Sequence, residues 1–225
     1  MKTVLVVGGS KGIGKAIVDK LKNTCNIIIM SRSKVDISDN VIQYSLDVLA
    51  DDLPDIEKID GLVYCPGSIN LKSLTRLKIE DFQNDFNINV LGAVKVIKKY
   101  EKSLVSNQAS VVLFSTVATK LGMPFHASIA VSKAGVEGLA KSLAAEYATK
   151  IRFNVIAPTV TDTPLAARLL RNDKQKETMK ERHPLKDYLD PKEVAALANY
   201  LLSDESKSIS GQVFPIDAGI ISLKL

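Results

Sequence analysis

The run Gly8-Gly9-Ser10-Lys11-Gly12-Ile13-Gly14 follows directly on an apolar stretch, Val4 to Val7, and opens an amphipathic one. Glycines at such a junction let the backbone turn tightly and approach a pyrophosphate, whose charge is met by the N–H groups at a helix start. The same residues also serve as a plain turn, but between a first strand and a first helix they point to a dinucleotide phosphate site. A second group of reactive side chains stands further on: Ser115 and Thr116 behind another apolar run, then His126, Ser128 and Lys133. Hydroxyls polarise a carbonyl, an imidazole exchanges a proton near neutral pH, and a lysine holds hydroxyls or anions. Cys25 and Cys65 have no CxxC spacing or histidine cluster around them. Neither a disulfide framework nor a metal site is expected, and both read as small buried hydrophobes.

These groups need a scaffold, and the chain supplies one. Short, β-branched apolar runs recur at Val4 to Val7, Ile27 to Met30, Val41 to Leu46, Leu62 to Cys65, Val111 to Phe114, Phe153 to Ile156 and Val213 to Ile216. They read as strands buried on both faces. Between them lie helical patterns such as Ile13, Ala16, Ile17, Leu21 and Val136, Leu139, Ala140, Leu143, Tyr147. Strand and helix alternate throughout, which predicts one doubly wound α/β domain over residues 1–225, a mostly parallel sheet with helices on both faces. The stretch from Leu165 to Lys186 breaks the rhythm with seven cations, among them Arg168, Arg171 and Arg182, before a last helix near Asp190-Pro191. It reads either as a substrate lid, placed around residues 163–188, or as a solvated helical face.

Composition narrows the function classes. A net charge of +5 leaves nucleic-acid binding open, but the charges are interspersed and no aromatic-basic motif appears, so no nucleic-acid partner is expected. The longest uncharged stretch, between Lys102 and Lys120, contains Ser, Asn, Gln and Thr, and the N-terminal apolar run meets glycines too soon for a secretory signal. A cytoplasmic protein without a membrane partner is expected.

The spacing Gly8-x3-Gly12-x-Gly14, with the landmarks that follow in order over nearly the whole chain, resembles the short-chain dehydrogenase/reductase family. That resemblance implies a single Rossmann-fold domain with a seven-stranded sheet. It makes Gly8, Ser10, Lys11, Gly12, Ile13 and Gly14 the phosphate loop, Asp47 and Val48 adenine contacts, Pro66 and Gly67 part of the cofactor floor, and Asn154 through Thr163 the nicotinamide loop with Thr161 and Thr163. Asn89, in Asn89-Val90-Leu91-Gly92, takes the place of the active-site Asn, Thr116 that of the catalytic Ser, and Lys133 that of the catalytic Lys, which also binds cofactor. The helices near Val90 to Tyr100 and Val136 to Ala148 correspond to those that pair subunits, so a homodimer or homotetramer is expected. The chain also departs from the family: Val7 stands for a Thr, Tyr64-Cys65-Pro66-Gly67 for Asn-Asn-Ala-Gly, and only Ser33 to Asn40 link the second and third strands. Most consequentially, Ile129 occupies the place of the catalytic Tyr, four residues before Lys133.

For the cofactor, a 2′-phosphate wants fixed cations, whereas a bare ribose prefers a carboxylate at the end of the second strand. That strand ends Met30-Ser31-Arg32-Ser33 without an acid, and Lys11 and Arg32 stand where NADP-type members carry cations, so NADP(H) is expected over NAD(H). With no Tyr, the proton needs another source. His126 lies seven residues before Lys133, where related enoyl reductases place their Tyr, and Ser128 is a weaker alternative. His183, Tyr64, Lys141 and Lys150 read as structural or solvated. Two functions follow: an NADP(H)-dependent oxidoreductase reducing a carbonyl or conjugated enoyl substrate with an altered proton donor, or a catalytically inactive NADP(H)-binding protein acting as redox sensor or partner subunit.

Overall fold

The apolar runs form the strands the sequence predicts, in one sheet. The computed structural model describes residues 1–35 and 40–224. Most of the short link between the second and third strands, residues 36–39, therefore lies outside the described residues. The strands are β1 (Lys2–Val7), β2 (Cys25–Ser31), β3 (Val41–Ser45), β4 (Gly61–Tyr64), β5 (Ser110–Phe114), β6 (Arg152–Pro158) and β7 (Val213–Ile216), in the order β3-β2-β1-β4-β5-β6-β7. Every neighbouring pair is parallel. The helices that return the chain are α1 (Gly12–Leu21), α2 (Ile79–Phe86), α3 (Gly92–Ser106), α4 (Ala127–Glu146), α5 (Asp173–Arg182) and α6 (Pro191–Leu202).

Alternation along each strand divides the core in two. Leu5 and Val7 join Ile28, Leu62, Leu113 and Phe153 on the face covered by Val96 and Ile97 of α3 and Val136 and Ala140 of α4. Val4 and Val6 join Ile29, Val63, Val112 and Ile156 on the other, under Ile17 and Leu21 of α1 and Val194, Ala198 and Leu201 of α6. Because both faces are covered, the strands carry apolar residues at nearly every position. The last helix begins where predicted: Pro191 occupies its first turn, and Asp190 and Glu193 close a reciprocal capping box.

Two features bear on the site. The chain leaves β1 toward β2 and β3 on one side and returns at β4 on the other, which opens a crevice beyond the carboxyl ends of β1 and β4. Between α2 and α3 the helix widens into one π-type turn, Asn87–Leu91, that carries Asn89. The basic stretch after β6 folds into a short 3-10 turn, Pro164–Ala166, followed by α5, a helix with no buried residue. Among the described residues no helix is long and apolar enough to cross a membrane.

Candidate active site

The glycine loop turns where β1 meets α1. Gly8 and Gly12 have φ of +78° and +54°, in the left-handed region. A Cβ on Gly14 would lie 2.3 Å from the Gly8 carbonyl oxygen, so only glycine lets α1 start this close to the strand end. The first turn of α1 carries no acid, leaving its N–H groups open to an anion. The loop forms one wall of a cleft of about 500 Å³, lined by Gly8, Ser10, Lys11, Gly12, Ile13, Gly14, Arg32, Asp47, Val48, Pro66, Gly67 and Thr163. Twelve residues singled out from sequence thus meet in one place, drawn from beyond the ends of five strands. Arg32 is largely exposed and lies 3.8 Å from Asp47, a loose pair that leaves its guanidinium available to a ligand.

A second cavity of about 230 Å³ continues the cleft, sharing Ile13, Cys65, Gly67, Thr163 and Leu165 with it. Thr116, His126, Ile129, Lys133 and Thr161 line it, with Leu165, Leu169, Met179 and Arg182 from the stretch after β6 as another wall. Most of its hydroxyl protons are already committed. Ser115 donates to Glu137 Oε1 at 2.6 Å, and Ser68 to Asp85 Oδ1 at 2.6 Å. Thr161 and Thr163 donate to the backbone carbonyls of Thr159 and Thr161. The Nδ1 of His183 lies 2.7 Å from the Met179 carbonyl and carries the hydrogen of that contact, and its Nε2 lies 2.8 Å from the Thr159 hydroxyl. Thr116 differs: its oxygen accepts from the Ala118 N–H at 3.3 Å, and its own proton has no acceptor among the described residues. It is the hydroxyl free to polarise a ligand oxygen.

Lys133 rises from α4 into the floor of this cavity, 8% exposed, and its Nζ donates to the Phe114 carbonyl at 2.9 Å. Burial pulls its pKa down to about 8, against the opposing pull of Cys65 and Asp85. Burial also pushes the Cys65 thiol up to about 12, which keeps it neutral, while Lys133 draws it the other way. Asn89 lines neither cavity. It is 1% exposed behind Gly67, donating through Nδ2 to the Asp85 carbonyl at 2.7 Å and to Ser68 Oγ at 3.1 Å, and its buried Oδ1 accepts from no described residue. The positive-φ loop, the exposed Lys11 and Arg32 and this unpartnered amide oxygen suit a phosphate-bearing, hydroxyl-rich dinucleotide.

Several sequence readings need correction or addition. Cys25 and Cys65 are half-buried free thiols, not core residues, because both stand at strand ends, and Cys65 lines both cavities. Ser128 is no alternative proton donor to the cavity: its hydroxyl is 1% exposed and donates to Asp85 Oδ2 at 2.5 Å. Tyr64, read as structural from sequence, lines the phosphate-loop cleft, but its hydroxyl donates to the Ile88 carbonyl at 2.7 Å and burial pushes its pKa up. Sequence reasoning passed over Asp85, Ser68 and Glu137. For Asp85 the one available signal is its place one helical turn before Asn89.

Comparison with known proteins agrees with this geometry. Residues 18–221 match the family model described as enoyl-(acyl carrier protein) reductase. The 3-oxoacyl-[acyl-carrier-protein] reductase FabG of Rickettsia conorii is 31% identical, with 98% of this chain and 97% of the relative covered. FabG of Thermotoga maritima is 36% identical over 73% of this chain and 67% of its own length. Among solved structures, a short chain dehydrogenase family protein from Francisella tularensis superposes with a TM-score of 0.90 at 26% identity, covering 99% of this chain and 100% of that one. The structure titled ElxO with NADP bound gives 0.86 at 27% identity, with 99% of both chains covered. The chain belongs to the short-chain dehydrogenase/reductase family, and its fold and relatives make it an oxidoreductase of that type.

Proposed function

We propose that this protein is an NADP(H)-dependent reductase of acyl thioesters, acting on a 3-oxo or conjugated 2-enoyl group, with His126 in the role of proton donor. The observation that carries this is the continuity of the phosphate-loop cleft with a mainly apolar cavity that holds Thr116, His126 and Lys133 at its surface. The FabG relatives and the family model support an acyl substrate, and ElxO with NADP bound supports the cofactor.

A bound NADPH supplies hydride. Lys133 would hold its ribose hydroxyls and the glycine loop its pyrophosphate, with the buried Asn89 amide supporting the floor behind Gly67. Thr116 directs its uncommitted proton at the substrate carbonyl oxygen. His126 lines the cavity with Nδ1 held 2.7 Å from the Pro124 carbonyl, and its Nε2, without a hydrogen-bond partner among the described residues, is the nitrogen left to exchange a proton with a substrate. For a conjugated enoyl group carbon takes the hydride while the carbonyl oxygen needs only stabilisation, so the absence of a tyrosine at position 129 costs least there. The stretch 163–188 serves as the substrate lid: its apolar side chains Leu165, Leu169 and Met179 line the cavity, and its seven cations suit a phosphate-bearing carrier. We assign the protein to the cytoplasm, where its two free thiols stay reduced. A homodimer or homotetramer through the helices around Val90 to Tyr100 and Val136 to Ala148 accords with the exposure of Phe86, Leu91 and Val131 nearby.

The experiment is NADPH oxidation with a 3-oxoacyl and a 2-enoyl thioester. Turnover of either supports the reductase. Cofactor binding without turnover of either favours the sensor or partner-subunit reading, which the apolar Ile129 beside the cavity supports. Cofactor choice has its own test. Arg32→Asp removes the cation that would meet a 2′-phosphate and sets a second carboxylate near Asp47, so the NADPH/NADH affinity ratio is expected to fall by about tenfold or more. An unchanged ratio by calorimetry would refute the assignment.

A further inference from the structure

One buried charge has no part in the chemistry above. The carboxylate of Asp85, on α2, is 2% exposed. Ser68 donates to its Oδ1 at 2.6 Å and Ser128 to its Oδ2 at 2.5 Å, so both oxygens are satisfied by neutral hydroxyls. Among the described residues no cation lies within ion-pair distance of it, and burying a carboxylate on those terms is costly. The network continues in one direction. Ser68 also accepts from the Asn89 amide at 3.1 Å, and the buried Oδ1 of that amide accepts from no described residue. This oxygen and Lys133 Nζ lie 3.5 Å and 3.6 Å from the point a Cβ would occupy on Gly67. Glycine at position 67 therefore keeps open a space bordered by both the amide oxygen and the ammonium, and Asp85, Ser68 and Asn89 form a hydrogen-bonded path that leads to this space, while Lys133's own bond is to the Phe114 carbonyl.

We propose that Asp85 is a positioning residue for the cofactor: its buried negative charge keeps Lys133 protonated at the cavity floor, ready for the sugar hydroxyls of a dinucleotide. The proposal rests on the cofactor half of the function above and not on turnover. The surrounding charges leave this role to Asp85. Cys65, at the end of β4, stays a neutral thiol at working pH. Glu137, one turn further along α4, accepts from Ser115 and Thr119 on one oxygen and has Lys120 at 3.7 Å from the other. Arg182, and His126 when charged, favour the neutral amine, and burial acts in the same sense.

The test is the affinity for NADP+ of the full chain and of Asp85→Asn, measured by calorimetry from about pH 6.5 to about pH 9.5, across the titration of Lys133 near 8. Wild-type binding weakens as pH rises through that value, because Lys133 loses its charge. The variant removes an influence that raises the pKa, so its midpoint falls. Its Kd then stays within about twofold of wild type at low pH and exceeds it about fivefold or more near pH 8.5. Asp85→Ser, also neutral, must show the same displaced midpoint and serves if the Asn variant does not fold. Uniform weakening at every pH, or superimposable curves, would show that Asp85 only packs and would overturn the proposal. Failure of the wild type to bind NADP+ even at low pH would remove the cofactor assignment itself, and the role of Asp85 with it.

Discussion

Lys133→Met is expected to raise the Kd for NADPH about tenfold or more and to cut turnover by about a hundredfold or more at saturating cofactor. Among the described residues Lys133 is the one lysine that lines the substrate cavity, and it is held there by the Phe114 carbonyl at 2.9 Å. Met has similar reach but neither charge nor donor, so the cavity keeps its volume and loses its only floor cation. Calorimetry separates the binding loss from the catalytic one, and single-turnover kinetics reads the latter. Under the sensor reading only the binding loss is observed, because there is no turnover to remove. Measurable wild-type turnover that survives in Lys133→Met would exclude Lys133 from the chemistry.

His126→Ala carries the second large effect: turnover at saturating NADPH is expected to fall at least about tenfold, with about a hundredfold being the usual lower end of a general-acid contribution. Cofactor affinity stays put, since His126 lines the substrate cavity and not the nucleotide cleft. The two substitutions therefore split cleanly, one reducing affinity and turnover and the other turnover alone. A companion variant sharpens the result. Ile129 lines the same cavity, and Ile129→Tyr in the His126→Ala background sets a phenol there, restoring part of the lost rate if proton supply is the missing function. Wild-type turnover in His126→Ala would end the histidine assignment.

The fold was legible because its signals are local or periodic. The seven apolar runs became seven strands within one or two residues of the expected ends, since strands buried on both faces admit few polar residues. The glycine loop was legible because a tight turn and a helix start so close to a strand need glycine at particular positions, and Gly14 against the Gly8 carbonyl is the physical reason. What the sequence hid was made by distant pairings. Ser68, Asp85 and Ser128 stand 17 and 43 residues apart in pairs, and no spacing rule joins them. Ser115 and Thr116 look alike as candidates, but only the fold, by bringing Glu137 to Ser115, ties up one hydroxyl and leaves the other free. The stretch after β6 reads as basic because its seven cations outnumber its three acids, yet Leu165, Leu169 and Met179 are most of what it turns to the cavity. Cys65 reads as core from its strand, whereas the strand ends one residue earlier and leaves the thiol at the cleft.

The central claim is that the cleft at the ends of β1 and β4 is an NADP(H) site whose 2′-phosphate is met by Lys11 and Arg32. Calorimetric titration of the protein with NADPH and NADH in parallel, at one low and one near-physiological salt concentration, tests it most directly. Tighter binding of NADPH, with an advantage that shrinks as salt rises, is the predicted result, because exposed cations are screened. Equal or tighter binding of NADH would contradict the cation assignment, and no binding of either nucleotide would contradict the oxidoreductase and sensor readings together.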